Sequence, residues 1–180
     1  MSKREKGFSL IELLIVVAII LIIAAIAIPN LIRARIAAYE ASAVESIRAV
    51  NAAEMTYSST YNDGFANSLV FLGGPAGAAA TCNNAEIVDP VLSANNASIK
   101  SGYIFTAGPG TVQVSAAPPG CGQKGYLDGY TIISWPVNVG TTGQRSFCSD
   151  GSGVIQYNST GVQPAPAPPL CAGMTGPLSQ

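Results

Sequence analysis

Between Gly7 and Pro29 the chain reads GFSLIELLIVVAIILIIAAIAIP, an apolar run interrupted by one carboxylate, Glu12, just inside its amino-terminal edge. As a helix rising ~1.5 Å per residue, Phe8 to Ile28 is long enough to cross a hydrocarbon core of ~30 Å. A lone carboxylate in such a place costs at least a few kcal/mol unless it finds a partner, so it marks a functional position. The preceding MSKREKG sets Lys3, Arg4 and Lys6 against Glu5. By the positive-inside rule this arm stays in the cytoplasm and everything beyond Ile28 lies outside.

The combination is specific: a basic leader ending in Gly7, then Phe8, a carboxylate four positions later at Glu12, an unbroken apolar run, and Pro29 behind it. It resembles the class III signal of type IV pilins and the related pseudopilins. The resemblance implies that a membrane-embedded prepilin peptidase cuts between Gly7 and Phe8 and methylates the new amine of Phe8. It also implies that Glu12 pairs with the terminal amine of a neighbouring subunit and that the helix loosens near Pro29 during packing. Two plainer readings compete. Ala25-Ile26-Ala27 resembles a secretory cleavage site, but the apolar stretch exceeds the usual h-region of ~7 to 15 residues and Pro29 would fall two residues after the cut. A simple single-pass anchor, with Glu12 reaching for the headgroups, accounts for the helix but not for the glycine and aromatic residue before it.

Outside this segment the chain is sparing with charge. Of its 180 residues 48% are hydrophobic and 11% charged, and the formal net charge of −1 becomes −3 once the three bases and one acid of the leader are removed. The exported cations Lys100, Lys124 and Arg145 are scattered, so nothing draws nucleic acid electrostatically. Arg33, Arg35 and Arg48 read as a solvated or subunit-facing stripe on the helix. The sequence contains no histidine, which excludes Ser-His-Asp and Cys-His arrangements. No catalytic constellation is present, no cofactor is implied, and the cysteine spacings do not make a zinc site, since there is no C-x-x-C or histidine.

Between Gly7 and Gly64 there is no glycine and the only proline is Pro29, which predicts one long helix. Beyond the membrane segment Ile36, Tyr39, Ala43, Ile47, Val50 and Tyr57 share one apolar face, while Arg35, Ser42, Glu45 and Arg48 lie opposite, with Asn51 at the margin. This half is amphipathic and should pack on the domain that follows. Tyr61-Asn62-Asp63-Gly64 supplies the stop, and Pro29 removes one helical hydrogen bond, which predicts a kink or local loosening. Residues 64 to 100 give a weak pattern, with a short helix or turn in AEIVDPVLSA. Strands are expected at Tyr103–Thr106, Thr111–Ser115, Tyr130–Trp135, Arg145–Cys148 and Val154–Tyr157, the last two joined as a hairpin by Ser149-Asp150-Gly151-Ser152-Gly153. The proline-rich tail VQPAPAPPL reads as polyproline-like and unable to continue the sheet.

Four exported cysteines, Cys82, Cys121, Cys148 and Cys171, argue for two disulfides in three possible connectivities. The resemblance to pilins, many of which fasten a carboxy-terminal loop by a disulfide, implies Cys148 with Cys171, and the expected set is completed by Cys82 with Cys121. The chain-entropy model assigns each closure ~3 to 4 kcal/mol. Asp128 and Asp150 are candidate calcium ligands by analogy with some pseudopilins, although such residues more often make turns. Asn96-Ala97-Ser98 and Asn158-Ser159-Thr160 match glycosylation sequons.

The expected architecture is α+β and pilin-like: a cleaved leader (1–7), a transmembrane and assembly helix (8–29), its amphipathic continuation (30–62), an αβ loop (63–100), an antiparallel sheet of about four strands (101–161) and a disulfide-tied tail (162–180). The expected function is that of a non-enzymatic structural subunit. It would park in the inner membrane as a precursor, then polymerise with copies of itself into an extracellular filament. Its expected partners are itself, the prepilin peptidase and an inner-membrane assembly platform. The alternatives are a type II secretion pseudopilin and, in another class, a monomeric membrane-anchored periplasmic binding domain.

Overall fold

The computed structural model describes residues 7–74, 77, 79–122, 124–164, 171 and 174–178. The leader residues Lys3, Arg4, Glu5 and Lys6 lie outside the described residues, as does the proline-rich run 165–170. The chain divides into two units, residues 1–35 and 36–180.

The first unit holds the start of helix α1, Leu10–Tyr61, 52 residues in all. Among the described residues it is the one helix long and apolar enough to cross a membrane, and the apolar stretch has no buried residue. The helix runs through Pro29 without interruption.

The second unit packs the rest of α1 on a sheet. Ala43, Ile47, Val50, Ala53 and Tyr57 are buried, a spacing of three and four that puts them on one helix face. They form a core with Tyr103, Phe105, Ala107, Tyr130, Ile132 and Phe147 from the strands. Asn62 and Gly64 take left-handed φ values of 53° and 73°, which end the helix at the stop expected from Tyr61-Asn62-Asp63-Gly64. Two single-turn helices follow, α2 at Leu69–Leu72 and α3 at Pro90–Ser93. The latter is capped by Asp89, whose side chain accepts from Val91 N and Leu92 N.

The sheet has six strands in chain order, all antiparallel: β1 Ser98–Lys100, β2 Tyr103–Pro109, β3 Tyr130–Pro136, β4 Ser146–Asp150, β5 Ile155–Asn158 and β6 Gly176–Pro177. Two expectations are corrected here. The strand count is six, not four. Thr111–Ser115 is not a strand but contributes one isolated bridge, Gln113 to Tyr126, because Asp128 ties Thr111 and Val112 into a loop. The last residues of the tail do join the sheet, beyond VQPAPAPPL, whose residues 165–170 lie outside the described residues: Gln156 and Tyr157 pair with Pro177 and Gly176, and Leu178 N donates to Ile155 O at 2.9 Å. Proline is tolerated there because β6 is an edge strand, where a missing N–H need not be replaced.

The two sheet faces are covered differently. One lies on α1; the other carries a small cluster of Ile133, Cys148 and Cys171 with Trp135 and Met174 against it. Disulfides join Cys82 to Cys121, with Cα atoms 5.5 Å apart, and Cys148 to Cys171 at 5.6 Å. The second bond brings the tail onto β4.

Candidate functional site

Gly7, Phe8 and Ser9 lie outside the helix, which begins at Leu10. Phe8 is 81% exposed, and a Cβ added at Gly7 would meet nothing within 4 Å. The fold therefore makes no steric demand for glycine at position 7; any such demand comes from what reads the junction. Glu12 bends back so that its Oε2 accepts from Ser9 N at 2.9 Å, while Leu13 N donates to Ser9 O at 3.2 Å. Ser9 and Glu12 have the spacing of a capping box, and the carboxylate satisfies an amide near the positive end of the helix dipole. Attention to the apolar run alone misses Ser9; S-x-x-E ahead of that run is the signal that finds it.

The arrangement brings Gly7, Phe8 and Glu12 together at one exposed helix end. Pro29 stands apart, further along the same helix. A cut between Gly7 and Phe8 would create an amine one residue from the N–H that Glu12 already holds, so the carboxylate stands where a terminal ammonium would then be generated. A carboxylate with an ammonium partner makes a charge-assisted hydrogen bond, roughly twice as strong as a neutral one.

The head holds a second acid that the sequence reading passed over. Glu40 interrupts the apolar face of α1, yet is buried and fully satisfied. Its Oε1 accepts from Gln144 N at 2.9 Å and Arg145 N at 3.1 Å, and its Oε2 from Arg145 Nε at 2.8 Å and Nη2 at 2.7 Å. An acid four residues after Ile36 and three before Ala43 is the signal that would have found it.

The candidate calcium ligands are engaged in turns. Asp128 accepts from the Thr111 hydroxyl, from Val112 N at 2.8 Å and from Thr111 N at 2.7 Å. The Thr111 hydroxyl bond, then the Val112 amide, hold its carboxyl at about 2. Asp150 Oδ1 accepts from Ser152 N in the β4–β5 turn. Among the described residues no group of three or more His, Cys, Asp or Glu is placed to hold a metal. In the sequons, the Asn96 side chain accepts from Leu69 N and donates to Ala107 O, a structural tie, while Asn158 Oδ1 accepts from Thr160 N and Oγ1.

An exposed apolar helix, a non-helical junction before it and a small disulfide-bonded α+β head define a class: a small head that follows a long apolar amino-terminal helix. Residues 2–28 match the family model described as the prokaryotic N-terminal methylation motif. This amino-terminal segment is similar to those of two type IV pilus components. The chain is 45% identical over 73 residues, 39% of its own length, to the type IV major pilin protein PilA of Myxococcus xanthus. It is 67% identical over 33 residues, 18% of its length, to the type IV wide pilus major component PilA4 of Thermus thermophilus. The matches span 33% and 25% of those relatives. No solved structure matches the chain.

Proposed function

We propose that the chain is a structural subunit, a pilin, of a type IV pilus-like extracellular filament. In this reading a prepilin peptidase removes residues 1–7 and methylates Phe8. The precursor waits in the inner membrane with its amino terminus in the cytoplasm, and an assembly platform then transfers it into a homopolymer. The observation that carries the proposal is the apolar half of α1, which has no buried residue within the chain and follows an exposed, non-helical junction. Lipid satisfies such a surface before assembly, and only like helices can satisfy it afterwards, at about 1.5 to 3 kcal/mol for each large side chain kept from water. The relatives' names support a pilus subunit over a type II secretion pseudopilin. A head-to-tail contact that does not close into a ring gives an open filament. The role is structural rather than catalytic.

Immunogold labelling with antibody to the head tests this. Label along the whole length of surface filaments is expected, together with loss of those filaments on deleting the gene. Label confined to the cell envelope, with filaments unchanged by the deletion, would favour a monomeric anchored binding domain instead.

A further inference from the structure

Glu54 lies on the apolar face of α1, four residues after Val50 and three before Tyr57, with no accessible surface. Its Oε2 accepts from Ala66 N at 2.8 Å, whereas its Oε1 has no partner among the described residues. Glu40, the other buried acid of the same helix face, has an arginine; Glu54 has no cation among the described residues. The groups coupled to it electrostatically are Tyr57 on α1 and Tyr130 on β3, and the further charges acting on those two rings are Asp63, Tyr61 and Asp150. Neither phenol can donate to the orphan oxygen. Tyr57 Oη donates to Cys82 O at 2.7 Å and Tyr130 Oη to Asn51 Oδ1 at 3.0 Å.

The turn that supplies Ala66 N carries a buried acid of its own. Asp63 is 1% exposed and neither of its carboxyl oxygens has a donor among the described residues. The turn is held from outside by the Phe65–Tyr126 bridge, with Phe65 N donating to Tyr126 O at 2.8 Å, and by Phe65 against Tyr130 with ring centroids 5.2 Å apart. Gly125 makes the close approach possible, since a Cβ there would lie 1.7 Å from Asp63 O. One short segment thus covers a carboxyl group, Glu54, that lacks a compensating cation among the described residues, and lifting it would return that group to water.

We infer that Glu54 is a proton-operated latch for the turn Asn62–Ala66: while its carboxyl carries a proton the turn stays closed over it, and ionisation releases the turn. Burial, only partly offset by the Ala66 amide, pushes this carboxyl up from 4.5 to about 8. A carboxyl raised in the closed state favours closure fully below its solvent value of 4.5, and that advantage is lost as pH climbs to about 8. Each pH unit in that window multiplies the opening constant by ~10. The latch does not depend on whether the chain polymerises.

Amide hydrogen exchange on the full-length chain in detergent micelles, corrected for the intrinsic pH dependence of exchange, reads this directly. Peptides covering residues 62–72 should open ~10-fold more per pH unit between about pH 5 and 8 and then level off, while β3 peptides stay flat. Glu54→Gln keeps the shape and the acceptor for Ala66 N, and should abolish the slope. A flat profile in the native chain, an unchanged slope in Glu54→Gln, or β3 opening in parallel would each overturn the latch; the native profile decides without any variant. So would closure at pH 9 restored by millimolar calcium in the native chain but not in Glu54→Gln, which would make the pocket a cation site.

Discussion

Helix α1 obeys two different rules along its length. In its first half the large side chains are exposed all round, as Leu13, Ile20 and Ile26 are. In its second half burial is confined to one face, with Ile47 and Val50 inaccessible and Arg48 in water between them. The same apolar residue types therefore meet two fates: in the head they are matched by partners in the same chain, and in the first half they stay exposed. The acids follow the same division. Glu40 finds Arg145 within the fold, whereas Glu12, among the described residues, holds only an amide of its own first turn.

The largest effect that could break this comparison is expected at Glu12. Glu12→Ala removes the cost of a carboxylate in lipid together with any attraction to a neighbour's amine. Insertion should be normal or better and cutting after Gly7 should continue, but the yield of sheared filaments should fall at least ~10-fold, as loss of a charge-assisted pair worth about 1.5 to 3 kcal/mol would give. Filaments at wild-type yield would make Glu12 an ordinary anchor residue reaching for headgroups.

A truncation on each half sharpens the contrast. Ile47→Ala should lower the head's stability by about 2 to 5 kcal/mol in denaturant titrations followed by the near-UV signal of Trp135. Ile20→Ala should leave that transition unmoved. Equal losses would mean that the first half belongs to the head's core.

Within the head, Glu40→Ala strands two backbone amides and a guanidinium. Because the Arg145 side chain can turn to water, a loss of about 2 to 3 kcal/mol is expected, less than for a fully buried pair. Arg48→Ala is the smallest change. The Arg48–Glu45 contact at 3.4 Å is exposed on both sides, so the denaturation midpoint should shift by less than the equivalent of about 0.5 kcal/mol.

Features with a local cause could be seen in the sequence. The unbroken helix, its stop at Asn62-Gly64, the Asp150–Gly153 turn and the strands at Tyr103, Tyr130 and Val154 each follow from spacing or turn chemistry within a few residues. What escaped depends on distant segments. β1 is three residues held by pairing with β2, and β6 is Gly-Pro, which no propensity marks as strand. Thr111–Ser115 has strand-like residues but is bound by Asp128, seventeen positions from Thr111. Glu40 and Glu54 sit at core positions of an apolar face, where pattern alone expects no charge; only the fold reveals that, among the described residues, one has a cation and the other does not. At the amino-terminal end the motif matched by residues 2–28 was legible because it is continuous, whereas the Ser9 contact, marked by its S-x-x-E spacing, was passed over.

If the first half of α1 is an anchor that becomes a polymer core once its leader is cut away, the chain in a filament must carry the mark of that cut. Intact-mass and amino-terminal peptide analysis of this chain, recovered from filaments sheared off cells, tests that most directly. The expected species begins at Phe8 with one added methyl group and has all four cysteines oxidised. A species beginning at Ile28, or a chain retaining residues 1–7 in the membrane fraction and missing from the filaments, would contradict it.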